Sequence, residues 1–74
     1  MARPKPLPYR EVKRRLEAAG FVEISQRGSH VKFVRQTKDA VDIAIVPRKQ
    51  EIAVGTIRRI LQQAHIDLDR WDKL

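Results

Sequence analysis

Apolar residues recur along this chain with two different periods, and the change of period marks the elements. From Pro8 to Ala19, Tyr9, Val12, Leu16 and Ala19 fall three to four residues apart, with Arg10, Lys13, Arg14 and Glu17 between them. One apolar stripe at that spacing predicts a helix with a single buried face. Gly20 follows where a helix end favours positive φ. Pro8 fits the first turn, where its missing N–H costs nothing. Beyond Gly20 the period shortens. Phe21–Arg27 predicts a strand of imperfect alternation, Gly28-Ser29 a two-residue turn, and His30–Arg35 a second strand. In that second strand Val31 and Phe33 share one face, and His30, Lys32 and Val34 the other. After the polar turn "QTKDA", Val41, Ile43 and Ile45 alternate with Asp42, Ala44 and Val46 in a third strand. Pro47 ends it, because proline cannot donate to a ladder.

The longer period then returns. Ile57, Ile60, Leu61 and Ala64 form the stripe of a second helix over Val54–His65, with Arg58, Arg59, Gln62 and Gln63 outside it. Asp67 is placed to cap a short helical turn that folds Trp71 back onto the core. Pro4, Pro6 and Pro8 predict an extended leader over residues 1–7, before a core of 8–66 and a tail of 67–74. The order α-β-β-β-α predicts an α+β domain. Short consecutive strands make a three-stranded antiparallel meander. Helices with one apolar stripe each pack on one face of that sheet.

Composition narrows the class. A chain of 74 residues is one domain, burying roughly 60% of the surface its unfolded form exposes. Any chemistry must therefore sit in a surface groove. Sixteen Lys and Arg against nine Asp and Glu give a net charge of +7. That excess on so small a body makes a polyanion the expected partner. No cysteine is present, which excludes disulfides and thiolate zinc sites. The start "MARPKPLPYR" has no apolar signal-peptide core, and the longest apolar run, Ile43 to Pro47, is far short of a membrane span. These features predict a cytoplasmic protein.

The chemistry centres on "QRGSHVKF", residues 26–33. With Val31 and Phe33 inward, period two sends His30 and Lys32 to the open side. An imidazole has an ordinary pKa near 6.5, which suits general acid–base work. An idle polar residue on a solvated strand is the competing reading of His30. Arg27 and Lys32 can hold a phosphate beside it, and the small Gly28 and Ser29 let backbone N–H groups approach an anion. Arg48 and Lys49 follow the third strand, where they either form a solvated edge or add phosphate contacts. His65 sits at the end of the second helix, where it interacts favourably with the helix dipole. Two histidines this far apart do not suggest a metal site. Ser29 and His30 adjoin, but adjacent strand residues point apart, so no serine nucleophile is argued.

Two longer runs, "LEAAGFVEISQRGSHVKF" and "IAIVPRKQEIAVGTIRRILQQAHI", resemble the HicA mRNA interferase toxins of bacterial toxin–antitoxin pairs. The resemblance extends from Val12 to Asp67. It implies a fold like the double-stranded-RNA-binding domain, ribosome-independent cleavage of mRNA, and His30 as the catalytic group. It also implies a HicB-type antitoxin that covers this surface. Many family members carry His after "PR" where this chain has Lys49. Lysine binds phosphate but is no neutral-pH base without a strongly lowered pKa.

RNA carries its own nucleophile, so the implied chemistry needs neither metal nor cofactor. A neutral His30 takes the 2′-OH proton while Arg27, Lys32, Arg48 or Lys49 stabilises charge on phosphorus. Two readings compete with it. One is a non-catalytic module that grips RNA by shape. The other is a domain whose basic face meets only an acidic protein.

Overall fold

The structure, a computed structural model, describes residues 4–74. Its elements are α1 (Tyr9–Ala18), β1 (Val22–Arg27), β2 (His30–Gln36), β3 (Val41–Pro47), α2 (Val54–Ala64) and α3 (Leu68–Lys73). The strands form one antiparallel sheet in the order β1-β2-β3. This is the expected α+β meander, lengthened by α3. Residues 1–3 of the expected leader lie outside the described residues. Its end is extended and tied down, with Leu7 and Ile52 exchanging two backbone hydrogen bonds of 3.1 and 2.7 Å.

Both long helices end in the same way. After α1, Phe21 N–H donates to Leu16 O and Gly20 N–H to Glu17 O, with Gly20 at φ +97°. After α2, Ile66 N–H donates to Leu61 O and His65 N–H to Gln62 O, with His65 at φ 55°. These paired bonds satisfy carbonyls that a helix end would otherwise leave open. Histidine takes the position that glycine usually fills, so α2 stops one residue before the predicted end. Asp67 caps α3 by accepting from Arg70 N–H at 2.8 Å. Trp71 of α3 is then buried, 1% exposed.

The helices cover one face of the sheet. Val31, Phe33, Ala44 and Val46 point inward and join Val12, Leu16, Ile57, Ile60 and Trp71 in one core. Each of the Val, Leu, Ile and Phe side chains contributes about 1.5–3 kcal/mol relative to exposure. Both faces of β3 are apolar in sequence, and its register decides between them. Phe33 lies opposite Ala44 and Val31 opposite Val46. The bulky ring thus faces the smallest partner, and Ile43 and Ile45 are turned outward.

One polar knot ties the layers together. The Arg35 guanidinium donates to Ala19 O at the end of α1 (3.2 Å) and to Ala64 O at the end of α2 (3.0 Å). It also pairs with Asp42 at 2.8 Å and lies 4.7 Å from the Phe21 ring centroid. His65 Nδ1 donates to the other Asp42 oxygen at 2.7 Å. Hydrogen bonds from Arg35 first, and from His65 second, hold the Asp42 carboxyl below its ordinary pKa.

Candidate functional site

The β1–β2 turn sets the site. Gly28 has φ +59°, and Ser29 is not at positive φ. Glycine at the first central position is the pattern of a type II′ hairpin turn. The turn is tied to the segment leaving β3 by Arg48 N–H donating to Ser29 O at 2.6 Å. His30 opens β2, opposite Arg27 on one side and Pro47 on the other. With Val31 buried, His30 stands exposed on the open face.

Two grooves meet at this imidazole. One, of about 630 Å³, lies on the open sheet face and is lined by Ser25, Gln26, Arg27, His30, Lys32 and Ile45. The other, of about 420 Å³, lies between the β3 edge and α2. His30, Ser29, Lys49, Thr56, Arg59 and Gln63 line it, together with Ile45. His30 and Ile45 thus belong to both. The Gln63 carboxamide oxygen accepts the outward Ile45 N–H at 3.0 Å, which fixes the second groove's wall.

Charge is sorted across the molecule. No carboxylate lines either groove. Among the described residues Arg27, Lys32, Lys49 and Arg59 take part in no ion pair. The pairs that do form use α1 and the Arg35 knot: Glu11 with Arg14 and Arg15, Lys13 with Glu23, Arg15 with Asp72, and Arg35 and His65 with Asp42. Glu11 illustrates the contrast, since Arg14 and then Arg15 lower its pKa to about 2 by hydrogen bonding. Cations paired in this way are partly neutralised. The four in the grooves are available to an anion.

The residues singled out from the sequence separate accordingly. Arg27, Lys32, Ser29 and Lys49 line the grooves with His30. Gly28 lines neither, and its carbonyl accepts from Gln26 Nε2 at 2.9 Å. Arg48 is held on the α1 side, donating to Gln26 Oε1 at 3.0 Å with its guanidinium 5.4 Å from the Tyr9 ring centroid. Ser29 and His30 share a groove despite being neighbours, because Ser29 belongs to the turn and escapes strand alternation. His65 lies at the Asp42 knot. Among the described residues no three His, Cys, Asp or Glu side chains come together as a metal-binding group.

A family model described as the HicA toxin of bacterial toxin–antitoxin matches residues 9–66. The chain belongs to the HicA toxin family. As a HicA-family chain it is a toxin of a toxin–antitoxin system, and it has an antitoxin for a partner. No curated protein matches it. The matched stretch contains both grooves and every cation lining them. Among the described residues no helix of this HicA-family chain is long and apolar enough to cross a membrane.

Three polar residues of the groove beside α2 are not among the candidates that the sequence offers: Thr56, Arg59 and Gln63. Their signal is their spacing, since positions 56, 59 and 63 recur on one flank of the Ile57–Ile60–Ala64 stripe. That flank faces His30. Arg58 and Gln62, on the other flank, line a separate cleft with His65 and Leu68.

Proposed function

We propose that this toxin is a metal-independent endoribonuclease that cleaves mRNA, with His30 as its general base. The observation that carries the reading is an exposed imidazole where two carboxylate-free grooves meet, flanked by Arg27, Lys32, Lys49 and Arg59. Neutral His30 accepts the proton of a ribose 2′-OH. The 2′ oxygen forms a bond to the adjacent phosphorus, and the bond from phosphorus to the 5′ oxygen breaks. The leaving oxygen takes a proton from solvent, which reaches the open face freely. Arg27 and Lys32 of the open-face groove stabilise negative charge on the phosphorane. The products are a 2′,3′-cyclic phosphate and a 5′-OH end. General base catalysis of this kind is worth about 10²–10⁴-fold. The activity belongs where mRNA is found, in the cytoplasm.

The partner is a HicB-type antitoxin that covers the same face. Val22, Ile24, Val41, Ile43 and Ile45 are between 37% and 61% exposed; Ile45 lies beside His30, and the other four continue the open face beyond the grooves. RNA bases stack on aromatic or guanidinium planes, and these five residues offer neither. A second copy of the chain would bring +7 against +7. An acidic protein with an apolar centre fits both the aliphatic band and the cations beside it.

The test uses a labelled single-stranded RNA in EDTA, with a matched RNA carrying one 2′-deoxyribose at the cleavage site. Cleavage of the first with cyclic-phosphate ends, and protection of the second at that site, is expected. Shifted but intact RNA would favour the non-catalytic binder. Cleavage of the deoxy-substituted RNA at that site would exclude the 2′-OH as nucleophile.

A further inference from the structure

The groove between β3 and α2 shares His30 with the open-face groove, but its other polar residues have no part in the proton transfer. Its Gln63 wall is fixed by the bond to Ile45 N–H. Among the described residues the Gln63 amide nitrogen has no hydrogen-bond acceptor, so it stays free to donate. Lys49 enters from the β3–α2 connection and Arg59 from the second turn of α2, with the Thr56 hydroxyl beside them. Neither cation has a carboxylate partner among the described residues, and none lines the groove. Burial of Ile57, Ile60 and Ala64 fixes the rotation of α2, and that rotation carries Arg59 to the His30 side and Arg58 to the other.

The geometry points to a second RNA subsite: Arg59 and Lys49 bind the backbone phosphate next to the scissile one, on the α2 side of His30. This rests on the ribonuclease reading and adds the direction of the strand's path. A strand crossing His30 occupies both grooves, with Arg27 and Lys32 on one side and Arg59 and Lys49 on the other. Guanidinium suits a phosphate because its planar fork can give two parallel hydrogen bonds. The Gln63 amide is placed to donate to a base edge or sugar of the same nucleotide. Lys49 thus acts as a phosphate ligand at this position, a role that needs no deprotonated amine.

Binding of a fluorescent single-stranded RNA is measured on the His30→Ala chain, which leaves the RNA intact. Arg59→Ala and Lys49→Ala each weaken binding about tenfold and flatten its salt dependence by one contact. Arg58→Ala, at the neighbouring position but on the opposite flank, stays within about twofold, because it loses only long-range attraction. In steady-state cleavage, Arg59→Ala raises KM and leaves kcat within about threefold, as expected when binding equal in ground and transition states is lost. Arg59→Lys recovers part of the affinity. Arg59 is exposed, so the fold tolerates these changes. Equal effects of Arg59→Ala and Arg58→Ala on binding would overturn the subsite even in a chain that cleaves RNA. A chain that never cleaves RNA would instead defeat the ribonuclease reading, and the binding comparison would still decide the subsite.

Discussion

The salt dependence of RNA binding can be worked from the placement of four side chains. Arg27 and Lys32 line the open-face groove, and Lys49 and Arg59 the groove beside α2. None is in an ion pair with a carboxylate among the described residues. Each can therefore displace a counterion from RNA without first breaking a bond of its own. Single-stranded RNA gives a slope of about −0.7 in log K against log salt for each phosphate contact, so four contacts predict about −2.8. The perturbation is removal of one cation at a time in a His30→Ala background, read by fluorescence anisotropy over a tenfold range of NaCl. Alanine at 27, 32, 49 or 59 should make the slope shallower by about 0.7 each. Arg48 supplies the discriminating case. It lies in the same basic run as Lys49, but its guanidinium is engaged with Gln26 and Tyr9 on the α1 side. Arg48→Ala should leave the slope unchanged. A loss at Arg48 equal to that at Lys49 would refute the reasoning, since it would mean that net charge and not groove geometry sets the contacts.

Three further outcomes are expected. Trp71→Ala should cost about 3–5 kcal/mol in urea unfolding, a large share of the roughly 5–15 kcal/mol available to a domain, because a helix as short as α3 is held by its buried ring; a loss under about 1 kcal/mol would mean α3 is not docked in solution. Glu11 has a folded pKa of about 2 against 4.5 unfolded, so its contribution is fully present above pH 4.5 and is lost as pH falls toward 2. The stability advantage of the unmodified chain over Glu11→Gln should shrink across that window and stay flat above it; an advantage that grows on acidification would contradict the assignment. Ile43→Asp should weaken antitoxin binding at least tenfold by calorimetry while RNA cleavage continues, since Ile43 lines neither groove; unchanged affinity would move the antitoxin off the open face.

Sequence pattern reached most of the fold because each helix carries a single apolar stripe and each strand is bounded by Gly, Pro or a polar turn. It could not orient β3, whose alternate residues are apolar on both faces. Only the pairing of Phe33 with Ala44 tells inside from outside. Nor could it distinguish Arg35 from the other cations of the strands, because the two helix-end carbonyls and Asp42 that surround it come together only on folding. Within the candidate site, period two alone set His30 and Lys32 on the open face. Arg48 and Lys49 were indistinguishable because the chain leaves the ladder at Pro47, where alternation stops predicting direction. Arg59 was visible as a polar residue outside the stripe. Which flank of that stripe meets His30 depends on how α2 crosses the sheet, and no local pattern encodes it.

Removal of the imidazole tests the account most directly. The His30→Ala chain, shown by circular dichroism and thermal melting to be folded like the unmodified one, is incubated with single-stranded RNA in EDTA. Cleavage should fall by at least about a hundredfold while RNA binding persists. Cleavage by the folded His30→Ala chain at the unmodified rate would contradict the account.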